Sequence, residues 1–86
     1  MSAVVAKNDS KNSEFSLGDE DFNYISSSIY EKTGIVLKDH KKNMVYSRLS
    51  RRLRELGIPT FSSYCDLLKS PEGAGEVGYL INAITT

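Results

Sequence analysis

Apolar residues recur at helical spacing in four stretches of the chain, and turn residues separate these stretches. The pattern predicts a first helix over about Asp19–Thr33, with Gly34 as its C-terminal stop. It predicts a second helix over about Asp39–Leu56, with Asp39 as its N-cap and Gly57 directly after its end. The predicted core stripes are Phe22, Ile25 and Ile29 in the first helix and Val45, Leu49, Leu53 and Leu56 in the second.

Turn residues also mark a third and a fourth helix. Pro59 prevents the second helix from continuing, Thr60 is a candidate N-cap for the third, and residues 70–73 form a turn after it. Gly75 and Gly78 weaken the start of the fourth helix, which we therefore expect to begin late. The stripes are Phe61, Tyr64, Cys65 and Leu68 in the third helix and Val77, Leu80, Ile81 and Ile84 in the fourth.

These stripes predict the fold class. Because each amphipathic helix must cover its stripe with another one, we expect an all-α fold, a compact bundle of about four short helices over residues 17–86. The apolar residues 35–37, between the first two helices, are too few for an independent sheet and are expected to form a packed connector. Residues 1–16 are mostly polar and are predicted to be a flexible tail.

The composition limits the chemistry and the location of the protein. With one cysteine, Cys65, and one histidine, His40, a zinc site is not expected. Residues 1–11 lack the apolar segment of a signal peptide, and no apolar run approaches the ~18 residues of a membrane span. We therefore expect a soluble, cytoplasmic protein with no metal and no direct membrane insertion.

The charges are distributed unevenly, although the 11 basic and 11 acidic residues cancel overall. Between Lys38 and Arg54 there are seven basic residues and a single acid, Asp39. At about 100° per residue, Lys41, Arg48 and Arg52 project to one side of the second helix. Arg51 lies next to this group, and Arg54 lies further round the helix, nearly opposite the apolar stripe. The candidate partner-binding residues are Lys41, Arg48, Arg51, Arg52 and Arg54.

Two interpretations of this basic face remain open. It can be the solvated surface of a structural helix, as charge runs usually are. However, Arg48, Arg51 and Arg52 stand three and four residues apart, where like charges repel. An acidic partner would turn that repulsion into attraction, and arginine offers a planar fork to carboxylates and phosphates. The residues alone therefore allow both protein carboxylates and nucleic-acid phosphates.

The other candidate residues favour structural roles. Cys65 lies on the stripe of the third helix, as a buried structural thiol does. His40 is expected at the surface near the start of the second helix. No catalytic constellation is visible. Five tyrosines are expected to be mainly half-buried packing residues, namely Tyr24, Tyr30, Tyr46, Tyr64 and Tyr79.

Two segments carry a resemblance to a known family. They are residues 34–54, GIVLKDHKKNMVYSRLSRRLR, and residues 81–86, INAITT. They resemble the N-terminal helical domain of the bacterial chemotaxis receptor methyltransferases, the CheR family. The likeness extends from about Phe22 to Thr86 and covers every predicted helix.

This resemblance implies a parent enzyme that transfers a methyl group from S-adenosylmethionine to glutamate side chains of chemoreceptors. In the family, the helical domain precedes a Rossmann-like catalytic domain, and the family's donor-contacting motif begins just after the position of Thr86. We therefore expect the isolated chain to be inactive, with no catalytic residue and no cofactor of its own.

The resemblance also implies the partner of the basic face. Cytoplasmic helices of methyl-accepting chemotaxis receptors are rich in glutamate, and the face is expected to dock them and bring the protein to receptor arrays. The chain's own C-terminal catalytic domain is a second expected partner. One alternative is a regulatory protein that covers the same face and blocks methylation. Another alternative is nucleic acid, which the acids elsewhere in the chain disfavour, and we expect no nucleic-acid partner.

Overall fold

The computed structural model describes residues 14–85, which form four α-helices and two short 3₁₀ turns. No strand occurs within this range, so the predicted all-α class is confirmed. None of the helices in the described range is long and apolar enough to cross a bilayer. The helices are α1 (Asp19–Thr33), α2 (Lys42–Leu56), α3 (Phe61–Lys69) and α4 (Glu76–Thr85), and the 3₁₀ turns are Asp39–Lys41 and Pro71–Ala74.

Three helix ends follow the predicted turn chemistry. Gly34 and Gly57 adopt φ angles of 76° and 72°, a left-handed conformation that glycine enters without a Cβ penalty. The N–H of Gly34 donates to the carbonyl of Tyr30 at 2.8 Å, which closes the last turn of α1. Thr60 caps α3, because its hydroxyl oxygen accepts a 3.0 Å hydrogen bond from the N–H of Ser63.

The start of the second helix differs from the prediction. Asp39 is not an N-cap but the first residue of a 3₁₀ turn, and α2 itself begins at Lys42. The cap position of that turn belongs to Lys38, whose backbone is extended and whose carbonyl accepts from the N–H of Lys41 at 2.8 Å. The pattern of polar residues shows where the helical segment begins, but not whether its first turn is α or 3₁₀.

The core consists of stripe residues from all four helices, although Val77 and Ile81 are only partly buried and Leu56 does not belong to it. Leu56 is largely exposed, because the chain reverses at Gly57. Ile58 packs against the core in its place, and its N–H donates to the carbonyl of Leu53 at 2.9 Å. The buried apolar residues are Phe22, Ile25, Ile29, Val45, Leu49, Leu53, Phe61, Tyr64, Cys65, Leu68, Leu80 and Ile84.

The connector between α1 and the 3₁₀ turn is only partly packed. Leu37 contacts the core, as predicted, but Ile35 is exposed and Val36 is 60% exposed. The expected packed connector is therefore packed only through Leu37.

The packed part of the chain begins before α1. The predicted tail, residues 1–16, lies mostly outside the described range, but Glu14 and Phe15 fall inside it. The ring of Phe15 meets Phe61 edge-on at 6.0 Å, and Glu14 pairs with Arg54. Packing contacts thus reach back to Phe15, ahead of the predicted boundary at residue 17.

Candidate functional site

The basic face of α2 lies beside α4, and the two helices run antiparallel. Arg48, near the middle of α2, donates from Nη1 to the carbonyls of Ala83 and Ile84 at 3.1 and 3.3 Å. Arg52, one turn further along α2, contacts Glu76 at the opposite end of α4. Arg48 therefore satisfies carbonyls in the last turn of α4, where a cation also complements the helix dipole.

Arg52 is engaged within the domain. Its Nε and Nη2 donate to Oε2 and Oε1 of Glu76, both at 2.9 Å, and its Nη1 donates to Glu55 at 3.3 Å. The guanidinium carbon also lies 4.1 Å from the centre of the Tyr79 ring. The side chain of Arg52 is only 21% exposed. This two-point pair joins α2 to α4.

Glu76 is the centre of this network and is 7% exposed. Burial alone would raise the pKa of Glu76, but hydrogen bonds from Arg52 and from the hydroxyl of Tyr64, at 2.7 Å, outweigh it and hold the pKa below its usual range. Burial, together with the neighbouring carboxylate, raises the pKa of Tyr64. The carboxylate therefore stays ionised inside the domain and fixes both donors.

Arg51 is more exposed than Arg52 and Arg54. Its side chain is 80% exposed, and its nearest carboxylate is that of Glu55, with Nε and Oε2 4.0 Å apart. Such an exposed pair stabilises a helix by only about 0.3–0.5 kcal/mol. Arg51 can therefore turn to another carboxylate at little cost.

Two further cations of α2 meet acids that lie before α1 or at its first residue. Arg54 donates from Nη1 to Oε1 of Glu14 at 2.6 Å, and Lys42 donates to Asp19 at 2.7 Å. The hydrogen bond and charge of Lys42 lower the pKa of Asp19. Lys41 is exposed at the end of the 3₁₀ turn, before α2 begins.

The structure therefore divides the predicted set of basic residues. Arg48 and Arg51 lie together on the α4 side, where they line an open depression of ≈ 340 Å³ with residues of α4. Lys41 and Arg54 do not line it. The depression and the hollow adjoining it are lined by Arg48, Arg51, Arg52, Glu55, Tyr79, Asn82 and Ala83.

Tyr79 and Asn82 are members of this site that the sequence pattern does not identify. Tyr79 was expected to be a packing residue, but it is 58% exposed and forms one wall of the hollow beside Arg52. Spacing along α2 cannot reveal these residues, because they come from a helix that is remote in sequence. The one signal in the sequence is that both residues lie outside the apolar stripe of the predicted fourth helix.

The remaining candidates are structural. Cys65 is buried, as predicted, and burial, with a smaller effect of Asp21, raises its thiol pKa to about 12. His40 is exposed in the 3₁₀ turn, also as predicted. Within residues 14–85, no group of His, Cys, Asp and Glu side chains is arranged to hold a metal.

Comparison with known proteins identifies the family. Residues 20–85 match the family described as "CheR methyltransferase, all-alpha domain". This match covers most of the chain, and the chain therefore belongs to that family.

The relatives that share this region are chemotaxis methyltransferases. The chain is similar to the chemotaxis protein methyltransferase of Escherichia coli K12, with 51% identity over 70 residues, which is 81% of this chain and 24% of that protein. It is also similar to chemotaxis protein methyltransferase 2 of Pseudomonas aeruginosa, with 41% identity over 75 residues, 87% of this chain and 26% of that protein. The chain thus spans about a quarter of the length of these relatives.

Proposed function

We propose that this chain is the substrate-docking domain of a cytoplasmic protein-glutamate O-methyltransferase of chemotaxis. In this proposal, the basic face of α2 recognises the glutamate-rich methylation helices of chemoreceptors and thereby recruits the enzyme to receptor arrays. The observation that carries the proposal is that Arg48 and Arg51 both line the open depression beside α4. Membership of the CheR family supports the choice of a receptor as the acidic partner.

The proposed contacts align the substrate rather than hold it tightly. Each exposed pair between arginine and glutamate contributes about 0.2–1 kcal/mol, so several pairs give register and orientation at modest affinity. A docked receptor helix would present successive carboxylates to the enzyme in a defined order. Holding a target carboxylate in place lowers the barrier to reaction through proximity.

The five predicted residues take different parts in this proposal. Arg48 and Arg51 meet carboxylates of the partner directly, and Lys41 extends the positive surface beyond the start of α2. Arg52 acts as a positioning residue, because its pairs with Glu76 and its contact with Tyr79 hold α4 against α2. Arg54 is available to a partner when its contact with Glu14 opens.

Methyl transfer itself is assigned to the proposed parent enzyme, in which S-adenosylmethionine would supply the methyl group. The donor would need a glycine-rich turn at the end of a parallel strand, and residues 14–85 contain no strand. The two depressions beside α4 are open surface features lined mainly by charged and polar side chains. These residues do not fit the donor, and the catalytic domain of the parent is the proposed second partner of this chain.

Binding to a receptor fragment tests the proposal. We expect the chain to bind a cytoplasmic fragment of a methyl-accepting chemoreceptor in a titration followed by NMR, with shifts centred on Arg48, Arg51 and Tyr79. The same fragment with glutamine at its methylation sites is the matched control and should bind more weakly. Equal affinity for the two fragments, or shifts on another face, would contradict the proposal.

Competition separates docking from the alternatives. Added to a methylation reaction of the Escherichia coli relative, the chain should slow methylation by occupying receptor sites. A regulatory protein that covers the same face would relieve this inhibition, whereas a regulator of another surface would not. Binding to DNA with a steep salt dependence, and no effect on methylation, would favour the nucleic-acid alternative.

A further inference from the structure

The residues before α1 lie along α2 on the side away from α4. Glu14 contacts Arg54 near the end of α2, Phe15 contacts Tyr46 in its first half, and Asp19 contacts Lys42 at its start. We call residues 14–18 the N-terminal strap. Glu14 of the strap and Asp19 of α1 thus place one carboxylate near each end of α2 on this side.

Phe15 anchors the strap. Its backbone N–H donates to the hydroxyl oxygen of Tyr46 at 3.0 Å, and its ring meets Phe61 edge-on with an interplanar angle of 80°. Tyr46 also packs against Phe61, with ring centres 5.8 Å apart, and Leu17 contacts the core. This anchoring keeps the neighbouring carboxylate of Glu14 close to Arg54 at a high effective concentration.

We propose that Glu14 is an intramolecular competitor for Arg54 and so lowers the affinity of the basic face for acidic partners. The inference rests on the docking function proposed above and concerns the regulation of that site. An incoming carboxylate gains the full interaction with Arg54 only after Glu14 has left. Both partners of the existing pair are about half exposed, so the exchange needs no opening of the core.

The strap contacts only one arginine of the basic face, Arg54, and therefore affects the binding of a partner only there. Arg48 and Arg51 contact residues of α4 and α2, not the strap, so the position of Glu14 does not change which of their atoms a partner can reach. Arg54 is added to the binding surface when the strap releases it. Movement of the Glu14 side chain alone, with Phe15 still anchored, would therefore change the number of available arginines and leave the helices unchanged.

Neutralising Glu14 tests this inference. The probe is a helix-forming peptide of alanine and glutamate, and the same peptide with glutamine in place of glutamate is its control. Because an exposed ion pair is weak, we expect Glu14→Gln to bind the glutamate peptide about two- to five-fold more tightly than the unmodified chain. The gain should vanish when Arg54→Gln is present in both chains.

A matched variant separates local competition from a general change in charge. Glu31→Gln removes the same charge from an exposed position of α1 and should leave the affinity unchanged. Equal affinities of Glu14→Gln and the unmodified chain, or an equal gain from Glu31→Gln, would overturn the competition. Failure of the unmodified chain to prefer the glutamate peptide over the glutamine peptide would instead overturn the docking function on which this inference rests.

Discussion

Arg52 and Glu76 form a two-point ion pair across the interface between α2 and α4, with both nitrogen–oxygen distances at 2.9 Å. The Arg52 nitrogens in this pair are donors that the helical spacing assigns to an external partner. The pair also holds Tyr79 against the guanidinium, while Arg51 stays exposed and Arg48 keeps its Nη1 on the carbonyls of α4. The predicted basic face is thus partly a structural joint, and its remaining arginines form the docking surface proposed above.

Removing the charge of Glu76 should destabilise the domain. Glu76→Gln removes the buried counter-ion of Arg52 and leaves it only the more exposed pair with Glu55, so we expect the free energy of unfolding to fall by about 1–3 kcal/mol. Tyr64→Phe removes one hydrogen bond of the network and should cost about 1 kcal/mol. Urea unfolding measures both changes. Glu72→Gln, at an exposed position, should have little effect, and an equal loss there would contradict this role for the network.

The same network predicts how stability depends on pH. Because the native pKa of Glu76 lies below its usual value of 4.5, the unfolded chain binds the proton more readily. The stabilisation is present above pH 4.5 and is lost as the pH falls through the native pKa. In urea unfolding at a series of pH values, Glu76→Gln should reduce this acid-dependent slope. A slope that is unchanged by the substitution would show that other acids cause it.

Two glycines near the start of α4 should respond in opposite ways to alanine. A Cβ at Gly78 would have no neighbour within 4 Å in the described part of the chain, so Gly78→Ala should stabilise α4 by about 0.5–1 kcal/mol. A Cβ at Gly73 would collide with the backbone of Leu67 and Leu68, so Gly73→Ala should destabilise the domain. Thermal melts of the two variants test this, and a lower Tm for Gly78→Ala would contradict the packing described.

The sequence predicts the helices well because short-range physics controls them. The apolar stripe and Gly34 determine the bounds of α1, and Thr60 determines the start of α3. Each of these residues acts on backbone within about one turn of its own position. The exposure of Leu56 and Val36 was not predictable in the same way, because it depends on which neighbouring helix is present to cover each residue. Local pattern cannot supply that information.

The site was predictable only in part for a related reason. Spacing groups Lys41, Arg48 and Arg52 on one side of α2 with Arg51 adjacent, and in the structure Arg48 and Arg51 line one depression. It cannot show that Arg52 is paired with Glu76 or Arg54 with Glu14, since these acids are 24 and 40 positions away in sequence. A helical projection describes one helix in isolation, whereas the availability of each arginine is decided by the elements packed beside it.

Charge reversal at Arg51 tests the central claim most directly. Arg51 is highly exposed and is not part of the core, so Arg51→Glu should leave the fold intact while turning an attraction into a repulsion. We expect its affinity for the chemoreceptor cytoplasmic fragment to fall by about three- to thirty-fold. The matched reversal Lys69→Glu, on α3, should change that affinity by much less. Equal effects of the two reversals, or no effect of Arg51→Glu, would contradict docking on the basic face of α2.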